Sequence, residues 1–237
     1  MARSVMTSRV GFGTPLPVSD TISTFLQAVY GWMAAGLGIT AVTAWFVAGS
    51  PTLVTAVATN QVLFWGLVIA QLGLVFVLSA RVDRLAASTA SSLFILYSIL
   101  TGVTLSFVLL VFTGESVATT FFVTAGMFGA LAAYGVVTRR SLVGLGSFLF
   151  MGLIGVVLAS IVGLFWHSDA LQFMISLAGV VVFTGLTAYD AQRLKEMAGA
   201  LPGGEPGSYA IAGALALYLD FINLFLSLLR LFGRRRE

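Results

Sequence analysis

Hydrophobic positions along this chain fall into seven long runs, at residues 25–48, 62–80, 90–112, 118–137, 143–166, 170–190 and 209–232. Each is close to the ~20 residues that a helix rising ~1.5 Å per residue needs to cross the ~30 Å hydrocarbon core of a bilayer. The separators are short and polar. Ser50 and Pro51 break the first run, then come Arg81, Asp83 and Arg84, a third break with Glu115, a fourth with Arg139 and Arg140, a fifth at 167–169, and a sixth with Arg193, Lys195 and a Gly/Pro stretch through Gly207. The pattern predicts an all-α polytopic membrane protein with seven transmembrane helices. It divides the chain into an N-terminal tail over 1–24, a transmembrane domain over 25–232 and a basic C-terminal tail over 233–237. Residues 1–20 carry Arg3 and Arg9 among Gly and Pro and have no apolar core of their own, so they read as a loose tail and not a signal peptide. In the first run, Gly31, Ala35 and Gly38 form the kind of small-residue surface on which helices approach closely in lipid.

Composition sharpens this picture. The 237 residues are 59% hydrophobic and 9% charged, with a mean hydropathy of +1.03, well outside the soluble range. No cysteine is present, which excludes disulfides, thiolate metal sites and thiol catalysis. The basic balance does not point to nucleic acid, because the charges lie in the breaks. Two Lys or Arg residues fall in the N-terminal tail and in each of the second, fourth and sixth breaks, and none in the first, third and fifth. Since basic residues of short loops stay on the cytoplasmic side, this alternation predicts a cytoplasmic N-terminus. Arg230, Arg234, Arg235 and Arg236 run against it. Either the last run crosses and leaves them outside, or it dips in and returns; its apolar length favours a full crossing.

The anomaly is Asp220, a single acid near the middle of the last run. Even on the lenient insertion scale it costs roughly 2.5 to 3.5 kcal/mol there, so it should face the protein interior and have a partner. Asp190, at the end of the sixth run, is the best candidate. At a helix C-terminus it gains nothing from the dipole and should point at something positive or protonated. The plainer alternatives are an Asp190 that reaches water or pairs with Arg193 or Lys195, and a protonated Asp220 that only joins two helices. Glu115 is a candidate ion entrance, though an acid in a short loop is usually just solvated. His167 stands beside Trp166 where interfacial anchoring suits it, and Arg139 and Arg140 are most simply topogenic.

Two segments carry a resemblance. T-A-Y-D-A-Q-R-L-K from Thr187 to Lys195 and L-Y-L-D-F-I-N-L-F-L-S-L-L-R-L-F-G from Leu217 to Gly233 are similar to the signature segments of the Bax-inhibitor family, the transmembrane Bax-inhibitor-motif proteins. V-Y-G-W-M-A-A-G-L, L-T-G-V-T-L-S and M-G-L-I-G extend it more weakly over the chain. The resemblance implies two layers of three helices around a central C-terminal helix, and a pH-sensitive calcium leak. It implies further that Asp190 and Asp220 form a hydrogen-bonded pair acting as pH sensor, latched by an arginine at the end of the second helix. By position that arginine is Arg81, with Arg84 as the alternative. Compact length and short tails resemble bacterial members, which suggests the bacterial inner membrane.

Physical reasoning bears on the pair independently. Two carboxylates in a partly dehydrated site share a proton, and their titration belongs to the pair. Contact between them requires the sixth helix to continue past Arg193 or the seventh to begin outside the membrane. Two carboxylates are far short of the ~6 to 8 oxygens of a calcium cage, so Asp190 and Asp220 could offer Ca2+ only a weak transit site, as a leak needs. No resident cofactor is expected; the partners are the bilayer, Ca2+ and protons.

Two other functions compete. One is a non-conducting protein that regulates another membrane protein, such as a protease or a stress- or death-pathway factor. The other is an intramembrane aspartyl protease, against which Leu217-Tyr218-Leu219-Asp220 stands where such enzymes carry Gly-x-Gly-Asp. The sequence therefore reads as a non-enzyme. Phosphate-binding glycine loops, nucleophile triads and basic aromatic patches are missing from it, which sets aside nucleotide enzymes and nucleic-acid binders.

Overall fold

The computed structural model describes residues 18–166, 168–200 and 207–236. Eight α-helices account for nearly all of it: α1 (Val18–Ala48), α2 (Pro51–Thr59), α3 (Gln61–Ala80), α4 (Ala87–Val111), α5 (Gly114–Val137), α6 (Val143–Phe165), α7 (Asp169–Ala200) and α8 (Gly207–Phe232). Seven of these, all but α2, are long and apolar enough to span a membrane. Predicted runs and observed spans correspond one to one.

Differences lie at the ends, where polar residues prolong helices beyond their apolar stretch. α1 starts at Val18, seven residues before its run. The Ser50–Pro51 break opens a helix instead of a loop, with Ser50 as N-cap and Pro51 in the first turn of α2, where its missing N–H costs nothing. Asn60 ends α2 and caps α3, its side chain accepting from the Leu63 N–H at 3.0 Å. Thr113 does the same for α5, accepting from Ser116.

The largest departure is α7. Its polar segment from Asp190 to Ala200, read as mostly loop, continues the helix to Ala200. These residues are good helix formers, and Ala191, Leu194 and Ala198 make a buried stripe at helical spacing. Arg193 and Lys195 thus sit on a helix. Lys195 Nζ donates to the Val136 carbonyl at 2.7 Å, capping the C-terminal turn of α5. Gln192 spans the α5–α6 connection, accepting from Leu142 N–H at 2.8 Å and donating to the Arg140 carbonyl at 2.9 Å.

α8 is the most deeply buried span, with 67% of its central window inside the protein against 6% for α3 and 11% for α6. It packs against α1, α4, α5 and α7, while α1 also packs on α4, α7 on α5 and α6, and α3 on α4. Tyr218, Leu217, Leu224 and Leu229 are fully enclosed. Tyr218 lies edge-on to Phe94 and Tyr97, each with centroids 5.7 Å away, and its hydroxyl lies 2.7 Å from Thr40 Oγ1. Small residues admit close helix contacts, though not at the places expected. Gly31 and Gly38 face open space; Gly36, on the adjoining face, lies under the Phe94 ring, and Gly102 lies against Thr40 and Thr43.

Both ends of α8 are tied to loops, and this fixes its direction. At its start Ser208 Oγ donates to the Val82 carbonyl, and Tyr209 OH donates to Asp83, both between α3 and α4. At its other end the chain doubles back along the α4–α5 connection. Thr113 N–H donates to the Arg234 carbonyl at 3.0 Å, Arg236 N–H to the Val111 carbonyl at 2.9 Å, and Arg234 N–H to Ser116 Oγ at 2.9 Å. The start of α8 and the α3–α4 turn therefore share one end of the bundle, and Arg234–Arg236 lie at the other. α8 crosses fully and does not dip in and return.

Candidate functional site

Prolonging α7 is what brings the two acids together. Ten residues separate Asp190 from Ala200 and thirteen separate Gly207 from Asp220, or ~15 Å and ~20 Å of helix measured from the same end. The two acids are therefore level to within ~5 Å, and their carboxyl groups lie within hydrogen-bonding reach of each other. Asp220 is only 5% exposed and Asp190 is half-buried. Oδ2 of Asp220 is buried without a donor among the described residues. Neither carboxylate has a hydrogen to give when both are ionised; a single proton on the pair turns the contact into a hydrogen bond.

Local packing holds Asp190 in place. On α6, Gly146 lies directly under the ring of Tyr189, and Gly135 of α5 lies against the Ala188 backbone. A larger residue at Gly135 would push on the α7 backbone two residues before the acid, and one at Gly146 would displace the Tyr189 ring.

The pair opens onto a cavity of about 640 Å3 between α3, α6, α7 and α8. Its polar lining comes from Ser79, Ser147, Tyr189, Arg193 and Asn223 together with the two acids. The rest of the lining is apolar, with Phe150, Met151, Leu153, Phe183 and Leu215 among it, and the space beside the polar groups is large enough for water, at ~30 Å3 per molecule. Arg193, one turn beyond Asp190, is the cation acting on that acid. Lys195, the other local partner considered, is turned to the Val136 carbonyl. Asn223, one turn beyond Asp220, donates its amide N–H to the Leu219 carbonyl and also lines the cavity. Its i+3 spacing from Asp220 was the one sequence signal that could have singled it out.

Beyond the acids the interior closes. Leu149, Val182, Phe183, Leu186, Leu224 and Leu228 form an apolar cluster between α6, α7 and α8. Leu228 also borders a second cavity of about 320 Å3 at the opposite end, lined by Glu115, Ser116, Thr119, Thr120 and Arg234. Eight residues of α8, or ~12 Å, separate Asp220 from Leu228. The two cavities are thus divided by a plug of apolar side chains.

Arg81 is exposed at the C-cap of α3, its backbone N–H bonded to the Val77 carbonyl. Ser79, two residues earlier, lines the acid cavity, but no ion pair joins Arg81 to Asp190 among the described residues. Arg84 is exposed in the short 3-10 turn Val82–Arg84. Glu115 lies in the first turn of α5, exposed at the mouth of the far cavity. His167 falls outside the described residues. Among the described residues no three His, Cys, Asp or Glu converge as a metal cluster.

Sequence comparison extends over nearly the whole chain. The profile of the family described as "Inhibitor of apoptosis-promoting Bax1" matches residues 22–237. The "Inner membrane protein YbhL" of Escherichia coli is 52% identical over 230 residues, covering 93% of this chain and 98% of that protein. An uncharacterized protein of Caulobacter vibrioides is 40% identical over 247 residues, covering 100% of this chain and 97% of its own length. Another, from Borreliella burgdorferi, is 44% identical over 215 residues, with 90% and 93% covered.

Proposed function

Because the chain belongs to the Bax-inhibitor family of membrane proteins, we propose that it is a pH-sensitive cation leak, chiefly for Ca2+, gated by Asp190 and Asp220. The observation that carries this reading is the meeting of two carboxyl groups at a cavity roomy enough for water and closed on one side by apolar side chains. Intramembrane acids so placed belong to ion and proton pathways more readily than to packing.

In this reading the pair shares a proton and exchanges it with water in the cavity. Loss of that proton adds a second negative charge to the pair and draws a cation in; its return weakens the attraction and rearranges the hydrogen bonds between α7 and α8. The two acids and the Asn223 oxygen make a shallow calcium site, well short of ~6 to 8 ligands, from which an ion leaves readily. Arg193 competes with the cation for Asp190. Arg81 serves as a latch at the rim, reaching Asp190 in a more closed state, and Glu115 attracts cations at the far mouth.

The localisation proposed is the bacterial inner membrane, with the N-terminus cytoplasmic. It is supported by the name of the Escherichia coli relative and by the alternation of basic residues between connections. The acid cavity then faces the cytoplasm and Glu115 faces outward.

The same apolar plug favours a second reading, in which the protein conducts nothing and regulates another membrane protein. One experiment separates the two. Purified protein in liposomes loaded with a calcium indicator should pass Ca2+ at a rate that changes with pH, and Asp220→Asn should flatten that response. Equal flux and equal pH dependence in the variant remove the gate. Silent liposomes with native protein, together with a stoichiometric membrane partner on pull-down, establish the second reading.

A further inference from the structure

On the face of α8 turned away from the acid cavity, α1 and α5 are neighbours in space without being packed on one another. The space between them is a lengthwise groove. A recess of about 570 Å3, bordered by Leu26, Met33 and Val136, continues past Phe221 into a narrow section of about 120 Å3, and that into a third section of about 520 Å3. The three share lining residues: Leu37 and Phe221 join the first two, and Ala41, Leu109, Val117 and Phe121 join the second to the third. α8 supplies the floor with Phe221, Ile222 and Phe225. The walls are apolar almost throughout.

At the end of the third section, beside Gly49 and Gly114, the lining turns to Arg236. Its position is built, because Nε donates to the Phe112 carbonyl at 3.1 Å and its backbone N–H to the Val111 carbonyl at 2.9 Å. Among the described residues no carboxylate pairs with it; Glu115 lines the neighbouring cavity with Arg234 instead. A fixed guanidinium at the membrane-surface end of a dry, lipid-facing groove matches an anionic headgroup joined to a hydrocarbon chain. The length agrees. From Leu37 to Gly49 is twelve residues of helix, ~18 Å, little more than the ~15 Å depth of one leaflet.

We infer that the groove between α1 and α5 is a binding site for one anionic phospholipid, with an acyl chain lying on Phe221 and Phe225 and the phosphate held by Arg236. This assignment is independent of ion conduction and of the acid pair. It gives the Arg234–Arg236 segment a role that topology alone left without one.

Native mass spectrometry of the purified protein, titrated with phosphatidylglycerol or phosphatidylethanolamine, tests it. The native protein should retain one phosphatidylglycerol with about fivefold preference over phosphatidylethanolamine, which carries the same phosphate but offsets its charge with an ammonium group, since one basic residue facing an anionic lipid is worth about that factor. Arg236→Gln should lose the preference while still binding lipid, and Arg236→Lys, which keeps the charge but not the Nε bond to Phe112, should retain most of it. Ala118→Phe, which fills the wall of the third section, should weaken both lipids. Unchanged stoichiometry and preference in Arg236→Gln and Ala118→Phe would overturn the assignment, as would a groove closed by a second copy of the chain, read as a dimer with no lipid retained.

Discussion

Gln192 offers the most direct measure of how Asp190 is held at its depth. It is 6% exposed, lies two residues beyond Asp190, and its one amide satisfies the Leu142 N–H and the Arg140 carbonyl of the α5–α6 connection. Gln192→Ala strands both backbone groups. Leu142 is itself 8% exposed, so its N–H has little access to water and loses most of its bond, about 1 to 3 kcal/mol. The Arg140 carbonyl is nearer solvent and should lose less, about 1 kcal/mol. The sum is about 2 to 4 kcal/mol. For a chain of 237 residues, at ~2 to 4 °C per kcal/mol, the apparent melting temperature in detergent should fall by ~4 to 16 °C. Gln192→Leu, of similar volume, should do the same, which separates lost hydrogen bonds from lost packing. Gln192→Glu keeps the acceptor for Leu142 and should fall between. Melting followed by intrinsic fluorescence, with size-exclusion to exclude aggregation, reads all three. If Gln192→Leu melts with the native protein, this clasp does not hold the α7 extension, and the buried Ala191, Leu194 and Ala198 stripe with Lys195 suffices for it.

Three further expectations follow from the same geometry. Leu228→Ala thins the plug between the two cavities and should raise calcium flux several-fold at neutral pH in liposomes; flux equal to native would mean that Leu228 is not part of the barrier. Tyr218→Phe keeps the ring between Phe94 and Tyr97 but removes the hydroxyl bonded to Thr40, and should cost about 1 to 2 kcal/mol with the fold retained, read as a lower melting temperature. Gly146→Leu should drive the Tyr189 ring off α6, destabilise the protein by about 1 to 3 kcal/mol and disturb the pH response of flux; a normal pH response in a folded variant would show that Tyr189 does not position Asp190.

The hydrophobic pattern sufficed for the spans because a bilayer demands ~20 apolar residues per crossing, whatever the helices touch. It singled out Asp220 for the converse reason, that an acid in such a run is costly enough to need explaining. Hydropathy did not say which span is central. α3 and α6 are among the most apolar and are the least buried, whereas α8 carries Asp220, Asn223 and Ser227 and is the most enclosed. In a membrane, lipid is the more apolar surrounding, so strongly hydrophobic faces turn outward and the mixed ones turn in.

The chain by itself determined the number of crossings and the helical class, and marked Asp220 as an acid inside a span, since each depends on transfer of local segments into hydrocarbon. Three-dimensional packing alone decided that α7 stays helical through Arg193 and Lys195, and that its depth puts Asp190 level with Asp220. It also decided that the final arginines fold back on the α4–α5 connection. These outcomes rest on partners remote in sequence, such as Gln192 with Leu142 or Arg236 with Phe112, whose backbone groups need hydrogen bonds that no local pattern specifies.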